Sequence, residues 1–396
     1  MNRLTKPLAL GIAILGQGCM SETEKPSQLK VATFNVSMEA LNYMPYEQGK
    51  ERIPMGNELA MALATQHQQI KNIAHIIQDV RPDILLLNEF DRHDELHQSA
   101  LAQFKEQYLN QGDNAIDYPY FYQGPVNTGV PSGLDFNGNS SHTDSPADTY
   151  GFGYFPGHFG MALLSKYPID ANAIRTFQTF KWKDMPGALK PVEPSTGIAY
   201  YNDEAWQAFR LSSKSHWDVP VTVGDTTVHI LASHPTPPVF DGPEDRNGKR
   251  NHDEIRMIND YVTPNQANYL YDDNGKYGGL GENSRFIILG DLNASSVEGD
   301  AINSGIEALL NNPNVQDPKP LSKGGALHKP DNEHAKYHTA YWGMRADYAL
   351  PSQYGFSIKD SGVYWPEKDS ETYYLIKDRG ASSDHRLVWV NLEIKK

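Results

Sequence analysis

Phe286-Ile287-Ile288-Leu289-Gly290-Asp291-Leu292-Asn293 reads as a short apolar strand running straight into a glycine, a carboxylate and an amide. Four consecutive apolar residues predict a strand buried on both faces, with the polar groups that follow at the rim of its sheet. Near the other end of the chain, Ser382-Ser383-Asp384-His385 stands directly before a second apolar strand, Leu387 to Leu392. Carboxylate, amide and imidazole groups delivered to strand ends can hold a divalent cation beside a general base. The two stretches together point to metal-assisted phosphoester chemistry, and neither does so alone.

The same pattern extends outward along the chain. Lys30 to Val36 is rich in β-formers and puts Asn35 at its end, while Asp83 opens the continuous run Ile84-Leu85-Leu86-Leu87, which ends in Asn88-Glu89. Glu89 therefore stands at the mouth of a buried strand. Further strands are predicted at Gly160 to Ser165, Thr226 to Ser233, Ala346 to Leu350 and Leu387 to Ile394. Between Leu59 and Val80, apolar residues recur at helical spacing as Leu59, Leu63, Ile70, Ile73, Ile77 and Val80, and Arg81-Pro82 stops the pattern. That predicts one amphipathic helix with a polar outer face. No repeat with a period of about 20 to 50 residues is present, which argues against a solenoid or propeller.

Residues 118–157 are dense in Gly, Pro, Asn, Asp, Ser and aromatics with no sustained period, the mark of a long ordered insertion. Its aromatics, Tyr120, Phe121, Tyr122, Tyr150, Phe152, Tyr154 and Phe155, are expected to fold it onto the body rather than to stack bases. Asp135, Asn137, Asn139 and Asp144 offer oxygen ligands for calcium, although their spacing does not fit a helix-loop-helix site.

With 39% hydrophobic and 21% charged residues over 396 positions, the chain can bury a sizeable core. A formal charge of -14 opposes a broad basic footprint, so nucleic acid is not the favoured partner. A bound cation could still reverse the field locally for an anionic substrate. Basic residues Arg3 and Lys6 precede the mostly apolar run Pro7 to Leu15, which is too short to span a membrane comfortably and predicts a cleaved export signal over residues 1–19. It resembles a bacterial lipoprotein signal ending at Cys19, with Leu15 one place further from the cysteine than the usual motif; an ordinary signal peptide is the alternative. The expected location is thus outside the cytoplasm, whether periplasmic, membrane-anchored by lipid or secreted. Cys19 is the only cysteine, which excludes an intrachain disulfide and a cysteine-held zinc. A polar linker over 20–28 and a single catalytic domain over 29–396, with loop insertions near 105–157 and 236–282, complete the expected organisation.

Thr33-Phe34-Asn35-Val36, Asp83 to Glu89, Gly160 to Ser165, Ser233-His234, Gly290 to Asn293, Ala346-Asp347-Tyr348 and Ser383-Asp384-His385 occur in this order. The set resembles the endonuclease/exonuclease/phosphatase superfamily, the deoxyribonuclease and exonuclease III-like proteins. The resemblance implies an α/β fold, a four-layer α/β/β/α sandwich with two packed mixed sheets and catalytic groups along one edge. A carboxylate at a strand mouth suits a hard cation, so Glu89 is the expected metal ligand, with Mg²⁺ first and Mn²⁺ or Ca²⁺ as alternatives. By resemblance, Asn35 completes or orients that shell and Asp384 lies at or near the metal.

Asp291 and Asn293 lie two apart, and in an extended segment they would project to the same side. The resemblance assigns Asp291 to orienting the attacking water or touching metal, and Asn293 to a hydrogen bond with the phosphate. His385 is the candidate general base, since imidazole titrates near neutrality, and Asp347 matches the acid that supports it. His234 matches a second histidine that contacts phosphate or assists the leaving group; abasic-site repair members usually lack it, whereas deoxyribonuclease- and sphingomyelinase-like members have it. The basic stretch Arg246 to Arg256 follows, in which Arg250 and then Arg256 are candidate phosphate clamps, the alternative being the solvated start of a surface helix.

The expected activity is an exported divalent-metal-dependent phosphoesterase that uses metal-activated water, with a small phosphorylated molecule or lipid headgroup favoured as substrate. A secreted DNase or RNase of the same fold is the second reading, and a non-catalytic surface-binding lipoprotein the third. A serine hydrolase is disfavoured because the chain has no Gly-x-Ser-x-Gly elbow.

Overall fold

The computed structural model describes residues 27–93, 99–141 and 146–395. The expected export signal with Cys19, and Asp144, lie outside the described residues.

Strands β1 (Gln28–Met38), β2 (Ile84–Phe90), β3 (Tyr120–Tyr122), β4 (Met161–Ser165), β5 (Arg175–Thr176), β6 (His216–Val223), β7 (Thr226–Ser233), β8 (Phe286–Asp291), β9 (Asp347–Pro351), β10 (Phe356–Val363) and β11 (Val388–Ile394) form two sheets. One has the order β10-β11-β1-β2-β4-β3 and the other β5-β6-β7-β8-β9. Both are mixed: β1 with β2 and β7 with β8 run parallel, and their remaining neighbours are antiparallel.

The side-chain period of a strand explains how the sheets are covered. In β8, Ile287 and Leu289 join the cluster that holds Phe34 and Leu85 from the first sheet, while Phe286 and Ile288 join a second cluster. That second cluster takes Ile255 and Ile258 from the helix Arg246–Tyr261 and Ile306 and Leu309 from the helix Asn303–Leu310. The helix Gln68–Val80 buries Ile70, Ile73, Ile77 and Val80 in the first cluster. The architecture is therefore α/β, two packed mixed sheets with helices against them. In β2, Ile84, Leu85, Leu86 and Leu87 are all fully buried, which is why no alternation shows there. Each such leucine contributes about 1.5–3 kcal/mol of transfer free energy.

Three local expectations are corrected. The stretch Leu59 to Val80 is two helices, Glu58–Ala64 and Gln68–Val80, broken where Gln66 takes a φ of 56°. No apolar residue lies between Leu63 and Ile70 except Ala64, so the intervening turn has nothing to bury. β1 does not stop at Val36 but runs to Met38 through an irregularity after Asn35. Two of the proposed calcium ligands among the described residues are turned onto nearby backbone: Asp135 accepts from the N–H groups of Gly138 at 2.7 Å and Ser140 at 2.8 Å, and Asn137 from that of Asn139 at 3.0 Å. The Asn137 bond is an Asx turn, and Asp135 caps the backbone of the same loop.

The insertion packs as expected for some of its aromatics. Phe136, from the same stretch, lies 4.6 Å from Phe209 in the outer cluster, and Phe155 stacks on His158 at 4.8 Å. Phe121 and Phe152 remain exposed.

Candidate active site

The site begins with a bulge. In the β1–β2 ladder Asn35 pairs with Asn88 and Met38 with Phe90, so Val36 and Ser37 stand opposite Glu89 alone. Ser37 and Glu89 both adopt left-handed backbone, with φ of 47° and 53°, conformations that cost side-chain-bearing residues roughly 1–2 kcal/mol. A bulge of this kind re-aims a side chain. Here the Asn35 amide nitrogen donates to Glu89 Oε1 at 3.0 Å and to Asp291 Oδ2 at 3.0 Å, joining carboxylates from the two sheets. Asn35 Oδ1 accepts from the Ser37 N–H at 3.2 Å, so both ends of the amide are fixed within the bulge.

Asp291 is the last residue of β8 and pairs directly with Asp347 of β9. Its Oδ2 lies 3.5 Å from His234 Nε2 and 3.5 Å from His385 Nε2. The other ring nitrogen of His385, Nδ1, is 2.9 Å from Asp347 Oδ2, which also accepts from Thr339 Oγ1 at 2.6 Å. Asn293 does not reach the rim by strand alternation: its φ is 52°, and its N–H closes onto Asp291 Oδ1 at 3.0 Å. Its side-chain amide donates to the Pro235 carbonyl at 3.2 Å, tying the β8 exit to the β7 exit beside His234.

Electrostatics follow from crowding these groups away from water. Burial pushes the Glu89 carboxyl up to about 7, and His385 and Asn35 offset only part of that. Burial raises the Asp291 pKa as well. Burial draws His385 down, but Asp347 and Asp291 outweigh it and raise the imidazole above its ordinary value. His234, buried with Lys214 and His385 nearby, is held well below the ordinary histidine value, and its Nδ1 has no partner among the described residues.

Ligand atoms of Glu89, His234 and Asp291 lie within 4.8 Å of one another, as do those of Asp291, Asp347 and His385. A cluster of oxygen donors whose negative charge is undercompensated suits a hard divalent cation, and Glu89 with Asp291 would be its carboxylate holders. Asp384 stands beside them, accepting from Ser37 Oγ at 3.3 Å and facing Arg379 at 3.6 Å.

A family model described as Endonuclease/Exonuclease/phosphatase family matches residues 32–385. The chain belongs to the endonuclease/exonuclease/phosphatase family. Members of this family are hydrolases acting on phosphate esters, and they typically use divalent metals. No curated protein matches the chain. Among solved structures, an endonuclease/exonuclease/phosphatase from Beutenbergia cavernae is similar at 16% identity, covering 93% of this chain and 72% of that one with a TM-score of 0.52. The human Nocturnin catalytic domain with bound sulfate aligns at 12% identity over 93% of this chain and 95% of that one, TM-score 0.44. A truncated TDP2 from Caenorhabditis elegans aligns at 14% identity over 92% and 98%, TM-score 0.43.

Within this family fold, the structure gathers Asn35, Glu89, His234, Asp291, Asn293, Asp347, Asp384 and His385 at one rim. It does not bring Arg250 or Arg256 there. Arg250 is buried, and its guanidinium donates to the carbonyls of Leu211 at 2.8 Å, Tyr150 at 2.7 Å and Arg210 at 3.0 Å while lying over Phe209. Arg256 donates to the Pro186 carbonyl at 2.8 Å and faces Asp260 at 3.5 Å. Both tie carbonyls of the region around residues 150–211 to the helix Arg246–Tyr261.

Several supporting residues went unassigned in the sequence. Asn88 Oδ1 accepts from Thr33 Oγ1 at 3.2 Å and from the Asp291 N–H at 3.3 Å, and its amide donates to the Ser233 carbonyl at 3.3 Å, bridging both sheets. The signal was an amide directly after the apolar run Ile84-Leu85-Leu86-Leu87. Gln69 and Asn72, on the buried face of their helix, donate to the Ser382 carbonyl at 2.6 Å and the Ala381 carbonyl at 2.8 Å, which fixes the loop before His385. Arg386 is buried and clasps the Ser383 carbonyl at 2.8 Å. Trp342 meets the His385 ring edge-on at 4.9 Å.

Proposed function

We propose that the chain is an exported, divalent-metal-dependent phosphoesterase in which His385 serves as general base toward water and His234 and Asn293 contact the phosphate. The observation that carries this reading is the single carboxylate oxygen of Asp291, which meets Asn35 at 3.0 Å and both histidines at 3.5 Å. A water hydrogen-bonded to Asp291 would lie within reach of His385, whose far nitrogen is anchored by Asp347 so that Nε2 faces the reaction. A bound divalent cation would polarise the phosphate and offset the carboxylate charge that otherwise keeps the proton on His385. Export rests on the basic and apolar residues 1–19, with Cys19 as the point of any lipid anchor.

A small phosphorylated molecule or lipid headgroup is favoured over long nucleic acid by the net charge of -14. The test is turnover of aryl phosphate mono- and diesters, sphingomyelin and plasmid DNA by the purified protein with Mg²⁺, Mn²⁺ or Ca²⁺ and with EDTA. Metal-dependent turnover of small esters or sphingomyelin is expected. Efficient, salt-sensitive cleavage of plasmid DNA alone would favour the nuclease reading.

A further inference from the structure

Lys214 lies in the loop that leads into β6, two residues before His216, whose partner across the β6–β7 ladder is Ser233. That register puts Lys214 beside the exit of β7, where His234 follows Ser233. The loop is fixed on several sides. The Ser213 N–H donates to Glu254 Oε1 at 2.6 Å, Ser213 Oγ to the His234 carbonyl at 3.2 Å, and the Lys214 carbonyl accepts from the Asn127 N–H at 2.8 Å.

Lys214 is only 6% exposed, yet its ammonium makes no hydrogen bond and no ion pair among the described residues. The charge of Glu254 acts on it first, those of Glu89 and Asp291 after it, and its own charge acts on His234, so it shares the field of the site. Burial outweighs these attractions and lowers its pKa, and no carboxylate lies close enough to form an ion pair with it among the described residues. An ammonium that is unpaired on a largely buried stem is placed to take an anion that arrives at the site. Arg250 and Arg256 are committed to backbone carbonyls.

We propose that Lys214 is the cation that receives the substrate phosphate, and that its fixed charge favours a dianionic terminal phosphate over a phosphodiester. The inference rests on the phosphoesterase reading and deepens it. A terminal phosphate presents three non-bridging oxygens and up to two negative charges, whereas a diester presents two oxygens and one charge. His234 and Asn293 can offer neutral donors to either, and Lys214 adds the charge that distinguishes them.

The test compares wild type with Lys214→Met and Lys214→Arg. Three quantities are measured: inorganic phosphate binding by calorimetry with Mg²⁺ present, melting temperature in phosphate-free buffer, and KM for 4-nitrophenyl phosphate against bis(4-nitrophenyl) phosphate. Lys214→Met is expected to weaken phosphate binding roughly tenfold or more. It should raise the monoester KM more than the diester KM, and melt at or above the wild-type temperature because an uncompensated charge is gone. Lys214→Arg should retain part of the phosphate affinity. Unchanged phosphate binding, an equal rise in both KM values, or a Lys214→Met protein that melts well below wild type would each overturn the proposal. A wild type that turns over neither ester, with phosphate binding still lost in Lys214→Met, would refute the proposed activity and leave Lys214 as the phosphate site.

Discussion

Asn35 serves two carboxylates from different sheets through one amide nitrogen, and that double use makes it the most sensitive support of the site. Asn35→Ala should reduce kcat/KM by about 10–100-fold, the usual cost of removing a group that orients a metal ligand. Steady-state kinetics check it, and rates within about twofold of wild type would contradict it. Glu89, pushed up to about 7, sets a pH dependence. Divalent cations need the carboxylate ionised, so Mg²⁺ affinity should tighten as pH rises from about 5.5 to about 8, with protons released on binding. Calorimetry in buffers of different ionisation enthalpy reads that release, and a pH-independent Kd would contradict it. The same raised pKa gives the metal-free protein a stability contribution that is full below the unfolded-state value near 4.3 and is lost as pH rises through about 7. At this scale the acids and histidines were legible, since each stands just before, at or just after one end of a strong strand pattern. Arg250 was not: composition marks a cation but cannot tell a substrate clamp from a guanidinium spent on three carbonyls.

The elements explain why these residues converge. Gly290 pairs with Ser233 in the parallel β7–β8 ladder, and a Cβ at Gly290 would come within 2.1 Å of the Ser233 carbonyl. Gly290→Ala must therefore part the strands that carry His234 and Asp291. It should lower stability by about 1–3 kcal/mol or more in denaturant unfolding and reduce activity beyond that loss. A variant that melts with wild type would show that the approach is looser than described. The strands were readable because Ile84 to Leu87 and Phe286 to Leu289 are unbroken apolar runs. The bulge at Val36 and Ser37 was not, because nothing in Val-Ser-Met announces an extra residue; it exists to aim Asn35 and Glu89 and is set by pairing with β2. Gln69 and Asn72 were hidden for a related reason, since their partners are backbone carbonyls more than 300 residues away in sequence. The break at Gln66 was visible only as a missing apolar position.

For the whole molecule, two sheets from distant parts of the chain meet at one rim: β1, β2 and the exit before β11 on one side, β7, β8 and β9 on the other. Four carboxylates, Glu89, Asp291, Asp347 and Asp384, are held there by fold energy supplied elsewhere, chiefly the two buried clusters. A divalent cation that binds only the folded state should raise the melting temperature, by about 2.7 kcal/mol of stability at 100 times its Kd, and EDTA should reverse the shift. A melting temperature insensitive to Mg²⁺, Mn²⁺ and Ca²⁺ alike would count against a metal centre. The layered fold was legible in the order of strands and motifs, because the acids and histidines flank elements whose burial is written in their own residues. The most direct test of the central claim is the initial rate of 4-nitrophenyl phosphate hydrolysis by wild type and His385→Ala, with saturating Mg²⁺ and again after EDTA. Metal-dependent turnover that EDTA abolishes and His385→Ala lowers by about 10²–10⁴-fold is the predicted result. Full activity in EDTA, or an unaffected His385→Ala variant, would contradict it.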